Sequence, residues 1–320
     1  MVDGAARPGT VVALSHWAGA PTPEVFRRDL STGIVLAALA HPEVLPAGLD
    51  VATVDHVDED GLIALGLLCV AGLAADHGPL LLEAARVGDF GVVTDRKAAL
   101  LSFALASLWD PGRSPLAALR TPQRPAEILE VCALAAAEAL RLLPDLAADP
   151  GSDRFAPLWQ AESTAYDASV AALAGGEAAL EEYPEVDLAV VRVGSGEATT
   201  PTAWAGRPLH PAAVHSAARG LRVVTVAGDR IELRYRYESW VRLVSGPVRP
   251  RVDLSGVAEE LTAAEERGAR WVFDGAGATT GALRLAGPAP STVGPDRFLS
   301  LVRDRLAELD TGPPAWDPTR

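Results

Sequence analysis

Long apolar runs are missing from this chain. The longest, residues 62–74, is about 13 residues, against the roughly 20 that a membrane-spanning helix requires. The opening segment, MVDGAARPGTVVALSHW, has one early arginine and an apolar stretch too short for a signal-peptide core. Both absences lead to the expectation of a cytoplasmic protein with no membrane partner. Cysteine is scarce, and Cys69 and Cys132 form no CxxC pair, which argues against a disulfide framework and a thiolate zinc site. Each lies in an apolar helical pattern and reads as a small buried hydrophobe. Basic charge is also short. With 28 Lys and Arg against 42 Asp and Glu, the net charge is −14, so no general basic surface awaits a nucleic acid polymer. GxSxG, P-loop and GxGxxG patterns are absent, which removes the serine-hydrolase elbow and two phosphate cradles.

What is present is a folded composition, 49% hydrophobic and 22% charged. At 320 residues the chain suits one large or two ordinary domains. The stretch that organises it is residues 51–64, VATVDHVDEDGLIA. A β-branched run (51–54) stops at Asp55-His56-Val57-Asp58-Glu59-Asp60-Gly61, and an apolar helix follows. Four carboxylates and an imidazole at that range repel unless something neutralises them. The spacing His56-x-Asp58-x-Asp60 lets three ligand-type side chains converge, and a divalent cation is the natural occupant. Oxygen-rich ligands with one imidazole favour Mg or Mn over Zn, with Fe also compatible. The plainer alternative is an acidic N-cap, with Asp58 or Asp60 capping the next helix.

In chain order, residues 10–15 (TVVALS) read as a strand ending in His16-Trp17. Thr22-Pro23 reads as an N-cap and first helical residue of a helix running to about residue 40. The first 75 residues are therefore expected to form two strand–loop–helix units whose His-bearing loops meet at one sheet edge. Residues 77–143 read as helical, with short helices at 79–87 and 95–107, a polar linker at 110–125 and a third helix at 126–143. Gly88-Asp89-Phe90 reads as a tight loop between them, its acid either a cap or a remote ligand. A linker at 144–153 and a helix at 154–182 lead into strands at 186–193, 221–226, 230–236, 270–273 and 282–285. Ala227-Gly228-Asp229 gives a hairpin between two of these. Helices at 255–267 and 295–309 pack against them. Residues 1–150 and 151–320 are the two expected domains.

In the second half, Arg234-Tyr235-Arg236-Tyr237-Glu238-Ser239-Trp240 alternates arginines with aromatics, and Arg251 lies near. Guanidinium forks suit phosphate or carboxylate, so Arg234, Arg236 and Arg251 are the expected substrate-binding groups, with internal ion pairs as the alternative. Asp29, Asp76-His77, His210 and His215 are weaker candidates.

Two resemblances arise on these residues. The strand–HVDEDG–helix segment resembles the first motif of DHH-family phosphoesterases, and this implies manganese-binding roles for His56, Asp58 and Asp60. Gly88-Asp89-Phe90 is similar to that family's last metal-binding Asp motif, and 230–236 followed by 252–258 (VDLSGVA) is similar to its substrate-binding domain. The triplet Asp-His-His and the Gly-rich GGGH loop that mark the family are absent here. Over nearly its whole length the chain is also identified as a member of an uncharacterised bacterial family marked by LSHW, DHxDxDG, GDF, RYESWV and RPRVDL.

Together these readings give an α/β protein, with an N-terminal DHH-like parallel βα lobe carrying a helical insertion and a C-terminal mixed α/β lobe. The expected activity is metal-dependent, phosphoesterase-like hydrolysis of a small phosphorylated or anionic substrate. His56, Asp58, Asp60, Asp89 and His16 would hold Mn or Mg, with His56, Asp58 and Asp60 catalytic. A non-catalytic metal- or metabolite-binding protein and a non-haem iron enzyme stay open as alternatives, as does a homodimer.

Overall fold

The computed structural model describes residues 1–110, 112–116, 128–194, 208–287 and 290–319. Its second half is built on a six-stranded mixed sheet, β1 (Ala178–Tyr183), β2 (Leu188–Val193), β3 (Arg222–Ala227), β4 (Arg230–Tyr235), β5 (Trp271–Phe273) and β6 (Ala282–Leu285). Their spatial order is β1-β2-β3-β4-β6-β5, and only β2 and β3 run parallel. Leu188 and Val190 face one layer while Val191 faces the other, so both sides of β2 are covered. That is why LAVV reads as an unbroken apolar run. Gly228, with φ +62°, closes the β3–β4 hairpin at the position the sequence marks.

The helices are α1 (Ser31–Ala40), α2 (Glu59–Cys69), α3 (Leu73–Phe90), α4 (Arg96–Ser107), α5 (Ile128–Ala148), α6 (Ala156–Gly175), α7 (Pro211–Ala217), α8 (Ser255–Ala263) and α9 (Pro295–Leu309). Helices α8 and α9 pack on one face of the sheet, and α6 and α7 approach the other. Helices α1 to α5 close around a core that includes Leu30, Ile34, Leu62, Ile63, Leu101 and Leu146. No helix among the described residues is long and apolar enough to cross a membrane.

The mixed α/β class expected from the sequence is present, but the first 75 residues differ from their expected form. Among the described residues up to 150 no strand forms. Segments 1–3, 12–15 and 51–54 share only single bonds: Val2 N to Thr53 O (2.8 Å), Asp3 N to Leu14 O (3.1 Å) and Leu14 N to Met1 O (2.9 Å). A single parallel bridge joins Val2 and Leu14. Val2 and Leu14 reach the core and Val12 and Val54 pack against it, while Val11 and Val51 are 70% and 76% exposed, so only part of each apolar run is buried. Thr22 caps no helix. Its hydroxyl donates to Ser15 O and accepts from Ser15 N, and α1 starts only at Ser31.

Other boundaries shift for local reasons. Gly72, at φ +83°, splits the apolar run into α2 and α3, and Cys69 at the end of α2 is exposed rather than buried. Gly88-Asp89-Phe90 is the last turn of α3, which ends at Gly91 (φ +65°), and not a loop. Asp95 caps α4 as expected, accepting from Lys97 N and Ala98 N. The helix expected over 154–182 ends at Gly176 and its last residues form β1, a strand absent from the expected set. Strand β4 ends at Tyr235, and Tyr237–Ser239 is a 3-10 turn. Most of the expected linker at 110–125 and the start of the expected 126–143 helix lie outside the described residues.

Candidate metal centre

Two helix N-termini and one C-terminus meet at a single point. Asp58 is the N-cap of α2, its Oδ1 accepting from Gly61 N at 2.8 Å. Asp60, two residues further, serves a different helix. Its two carboxylate oxygens accept the first N–H groups of α1, Ser31 N at 2.6 Å and Thr32 N at 2.7 Å. The alternatives of cap and ligand thus coexist in one loop, and the positive ends of both helices favour the carboxylates there. Asp89 arrives from the last turn of α3, which passes close to α2 because residue 88 is glycine. A Cβ on Gly88 would lie 2.5 Å from Glu59 Cβ. We therefore expect Gly88→Ala to force α2 and α3 apart and cost about 1–3 kcal/mol of stability. Thermal unfolding of the variant checks this, and an unchanged midpoint would refute the close approach.

The chain's third residue completes the cluster. Asp3 is buried, with φ +44°, a left-handed conformation uncommon outside glycine. Its Oδ1 accepts from Ser31 Oγ at 2.7 Å and lies 3.4 Å from His16 Nε2. Its Oδ2 lies 3.3 Å from His56 Nε2 and has no hydrogen-bond partner. Each oxygen therefore faces a different histidine. Gly61 keeps this space open, since a Cβ there would be 3.0 Å from Asp58 Oδ1 and 3.1 Å from Asp3 Oδ2.

Both imidazoles are oriented from behind. His16 is buried, and its Nδ1 bonds the Asp29 carbonyl at 2.6 Å, so Nδ1 carries the proton and Nε2 points into the cluster. There it stands 3.4 Å from Asp3 Oδ1, 3.9 Å from Asp60 Oδ2 and 3.4 Å from Asp89 Oδ2. His56 Nδ1 bonds Asp55 Oδ1 at 2.9 Å, and Nε2 meets Asp58 Oδ2 at 2.6 Å. The Asp29 carboxylate in turn accepts from Val244 N and Ser245 N, tying the histidine's support to the second half of the chain. Two three-residue ligand sets result, Asp3–His56–Asp58 and Asp3–His16–Asp60, each with its ligand atoms within 4.8 Å of one another. They share Asp3.

The electrostatics are those of an anionic pocket. Burial alone would depress His16, but the bond to Asp3 and the charges of Asp3 and Asp60 raise it to about 9. His56 rises against its own burial to about 11 through Asp3 and Asp58. Burial, then the Asp3 charge, pushes Asp60 up to about 6, and burial with Asp58 pushes Glu59 up to about 8. Asp89 is driven well above the carboxylate range by burial and by the charges of Asp60 and Asp58. Asp3 alone moves down, because its contacts with His16 and His56 outweigh its burial. Asp89 Oδ2, like Asp3 Oδ2, is buried without a hydrogen-bond partner. Each lies 3.3–3.4 Å from an imidazole Nε2, so these oxygens have a charge nearby but make no hydrogen bond.

All five residues expected as ligands, His16, His56, Asp58, Asp60 and Asp89, are thus together, and Asp3 is the one that sequence reading misses. The sequence does not single it out: Asp3-Gly4 shares the Asp-Gly pairing of 60–61, but so does Asp274-Gly275. Matched over residues 1–303 is a family of unknown function, DUF6687. The chain belongs to that family. No curated protein and no solved structure matches it.

The arginines lie elsewhere in their bonding. Arg251, fully buried, donates from Nε to Ser239 Oγ (2.8 Å) and from both terminal nitrogens to the carbonyls of Arg236, Ala276, Ala278 and Thr279. Arg236 donates to the carbonyls of His215 and Ala218 and to Glu238. Arg234 bonds Glu232 and the Thr280 carbonyl. All three make internal bonds to protein oxygens, the alternative reading of the sequence, while Arg236 Nε is buried without a hydrogen-bond partner. His210 caps α7 and bonds Glu162, and His215 bonds the Phe90 carbonyl. Asp76 and His77 lie in the first turns of α3.

Proposed function

We propose that the protein is a metal-dependent hydrolase, phosphoesterase-like in chemistry, acting on a small phosphorylated or otherwise anionic substrate with Mn or Mg. The observation that carries this reading is the convergence of two pre-oriented imidazoles on four buried or half-buried carboxylates, two of whose buried oxygens make no hydrogen bond. The donor set fits the ion: carboxylate oxygens dominate, each set has one imidazole, and no thiolate is present. Asp3, His16, Asp60 and Asp89 would hold one cation, and Asp3, His56 and Asp58 a second. A divalent cation here supplies Lewis-acid polarisation of a phosphoryl oxygen and makes water acidic enough to attack at neutral pH. Asp55 and the Asp29 carbonyl hold the imidazoles in register, and Ser31 and Thr32 fix Asp3 and Asp60. His56 and Asp58 are the partly exposed members and form the approach for substrate. The likeness of HVDEDG to the DHH phosphoesterase motif supports the same chemistry.

Asp89→Asn tests the reading because its two effects have opposite signs. Folding the wild type without metal must bury the Asp89 charge or take up a proton, so removing the charge raises the metal-free melting temperature. The same change removes a ligand and lowers Mn affinity by at least about 10-fold. Thermal melts with and without Mn, together with elemental analysis, read both. A variant with unchanged Mn affinity sinks the proposal.

A further inference from the structure

Tyr237 enters the metal centre from the second half of the chain. Its hydroxyl stands 3.4 Å from His16 Nε2, and its ring packs edge-on against the imidazole, with centroids 5.7 Å apart. The charges of Asp89, Asp3, Asp58 and Asp60 all act on this phenol, which places it at the same point as the carboxylates. His16 Nδ1 is committed to the Asp29 carbonyl, so Nε2 is the ring nitrogen that faces the phenol. A cation held there would leave Nε2 with neither a proton to donate nor a lone pair to accept with. The O–H would then lack its histidine partner and stand within hydrogen-bond reach of whatever occupies the space that Nε2 faces.

We propose that Tyr237 is a catalytic residue of this centre, its phenol donating a hydrogen bond to an oxygen of the anionic substrate. The inference rests on the metal-centre reading above and adds the group that touches substrate. It also accounts for two buried arginines that no ligand claims. The Tyr237–Ser239 turn is gripped from both sides. Arg251 donates to the Arg236 carbonyl (3.1 Å) and to Ser239 Oγ (2.8 Å), and Ser239 Oγ donates to the same carbonyl (2.7 Å). Arg236 ties the turn to the end of α7 through the His215 and Ala218 carbonyls. Behind the phenol, Trp240 stacks on the Tyr237 ring at 5.7 Å, and Trp316 stacks on Trp240 at 5.6 Å. Arg236 and Arg251 are in this account positioning residues. They fix the direction of one O–H, which is the condition for a donor to be stronger toward a developing charge than water would be.

The test uses the full chain loaded with Mn, and inorganic phosphate as the probe. Wild type and Tyr237→Phe are compared for bound Mn by elemental analysis, for melting temperature, and for phosphate affinity by calorimetry. The ring and its stacking survive the substitution, so we expect equal Mn and a melting temperature within a few degrees. Phosphate affinity should fall about 10-fold, the effect of losing one hydrogen bond to a charged group. Equal phosphate affinity in the two proteins overturns the proposal, as does Mn-loaded wild type that binds no phosphate. Loss of Mn in Tyr237→Phe also overturns it, since the phenol would then serve the metal and not the substrate. Wild type that takes up no Mn removes the metal-centre reading itself, a failure visible before phosphate is added.

Discussion

If the proposed centre holds Mn, Asp3→Asn should empty both of its ligand sets at once, lowering Mn affinity by at least about 100-fold. Each of the two ligand sets contains Asp3, and no other residue belongs to both. One carboxylate oxygen faces His16 and the other faces His56, so the side chain can serve two cations only while both oxygens are acceptors. Asparagine keeps the size but turns one oxygen into a donor. It also suits the backbone, because it adopts the positive φ that Asp3 holds at 44° more readily than most residues. Any loss therefore reports charge and not strain. The effect on the metal-free protein runs opposite to that of Asp89→Asn. Asp3 is paired with two raised imidazoles and stabilises them, so its neutralisation lowers the melting temperature where neutralising Asp89 raises it. Elemental analysis of Asp3→Asn alongside wild type decides the matter, and full retention of metal would remove Asp3 from the site.

The contrast between these two acids shows how much of the centre the sequence carries. Residues 55–61 announce themselves because five ligand-type side chains crowd one turn, and local crowding is visible in one dimension. His16 and Asp89 are legible as isolated polar groups in apolar surroundings, without any indication of what they face. Asp3 is invisible because its meaning lies in contacts to residues 16, 31 and 56 that depend on three chain segments lying side by side. The same dependence explains the lost strands. Residues 10–15 and 51–54 have strand composition, but only part of each apolar run is buried, and Val11 and Val51 stay in solvent. The strands of the second half were legible because β2 to β4 are sandwiched between helices, so their apolar runs are long and bounded by real turns. Arg236 and Arg251 are ambiguous in the sequence for a further reason. A guanidinium that grips backbone carbonyls has the same sequence signature as one that waits for phosphate, because a carbonyl cluster has no side chain to advertise it.

The second large effect concerns pH. In the metal-free protein, Asp60, Glu59 and Asp89 are raised above their ordinary values, to about 6 and about 8 for the first two, and His16 and His56 are raised to about 9 and 11. A group raised on folding contributes stability that is complete below its unfolded value and is lost as pH climbs through its folded one. All five have this sign. Asp3, moved downward, has the opposite sign, and its contribution is lost only below the ordinary carboxylate range. The chelator-treated protein should therefore be most stable near pH 5 and weaken steadily toward pH 8, as Asp60 and then Glu59 give up protons into a pocket of like charge. Discounted for the half-exposed His56, the loss is about 2–4 kcal/mol, or roughly 5 °C or more in melting temperature for a chain of this size. Added Mn replaces those protons as the neutralising charge. Its stabilisation should consequently be small at pH 5 and largest at pH 8, where it restores the midpoint. Melting temperatures at the two pH values, with chelator and with Mn, give four numbers. A flat chelated profile together with no gain from Mn at pH 8 would mean that the carboxylates are not held at the mutual repulsion their distances imply, and that the pocket is not built around a cation.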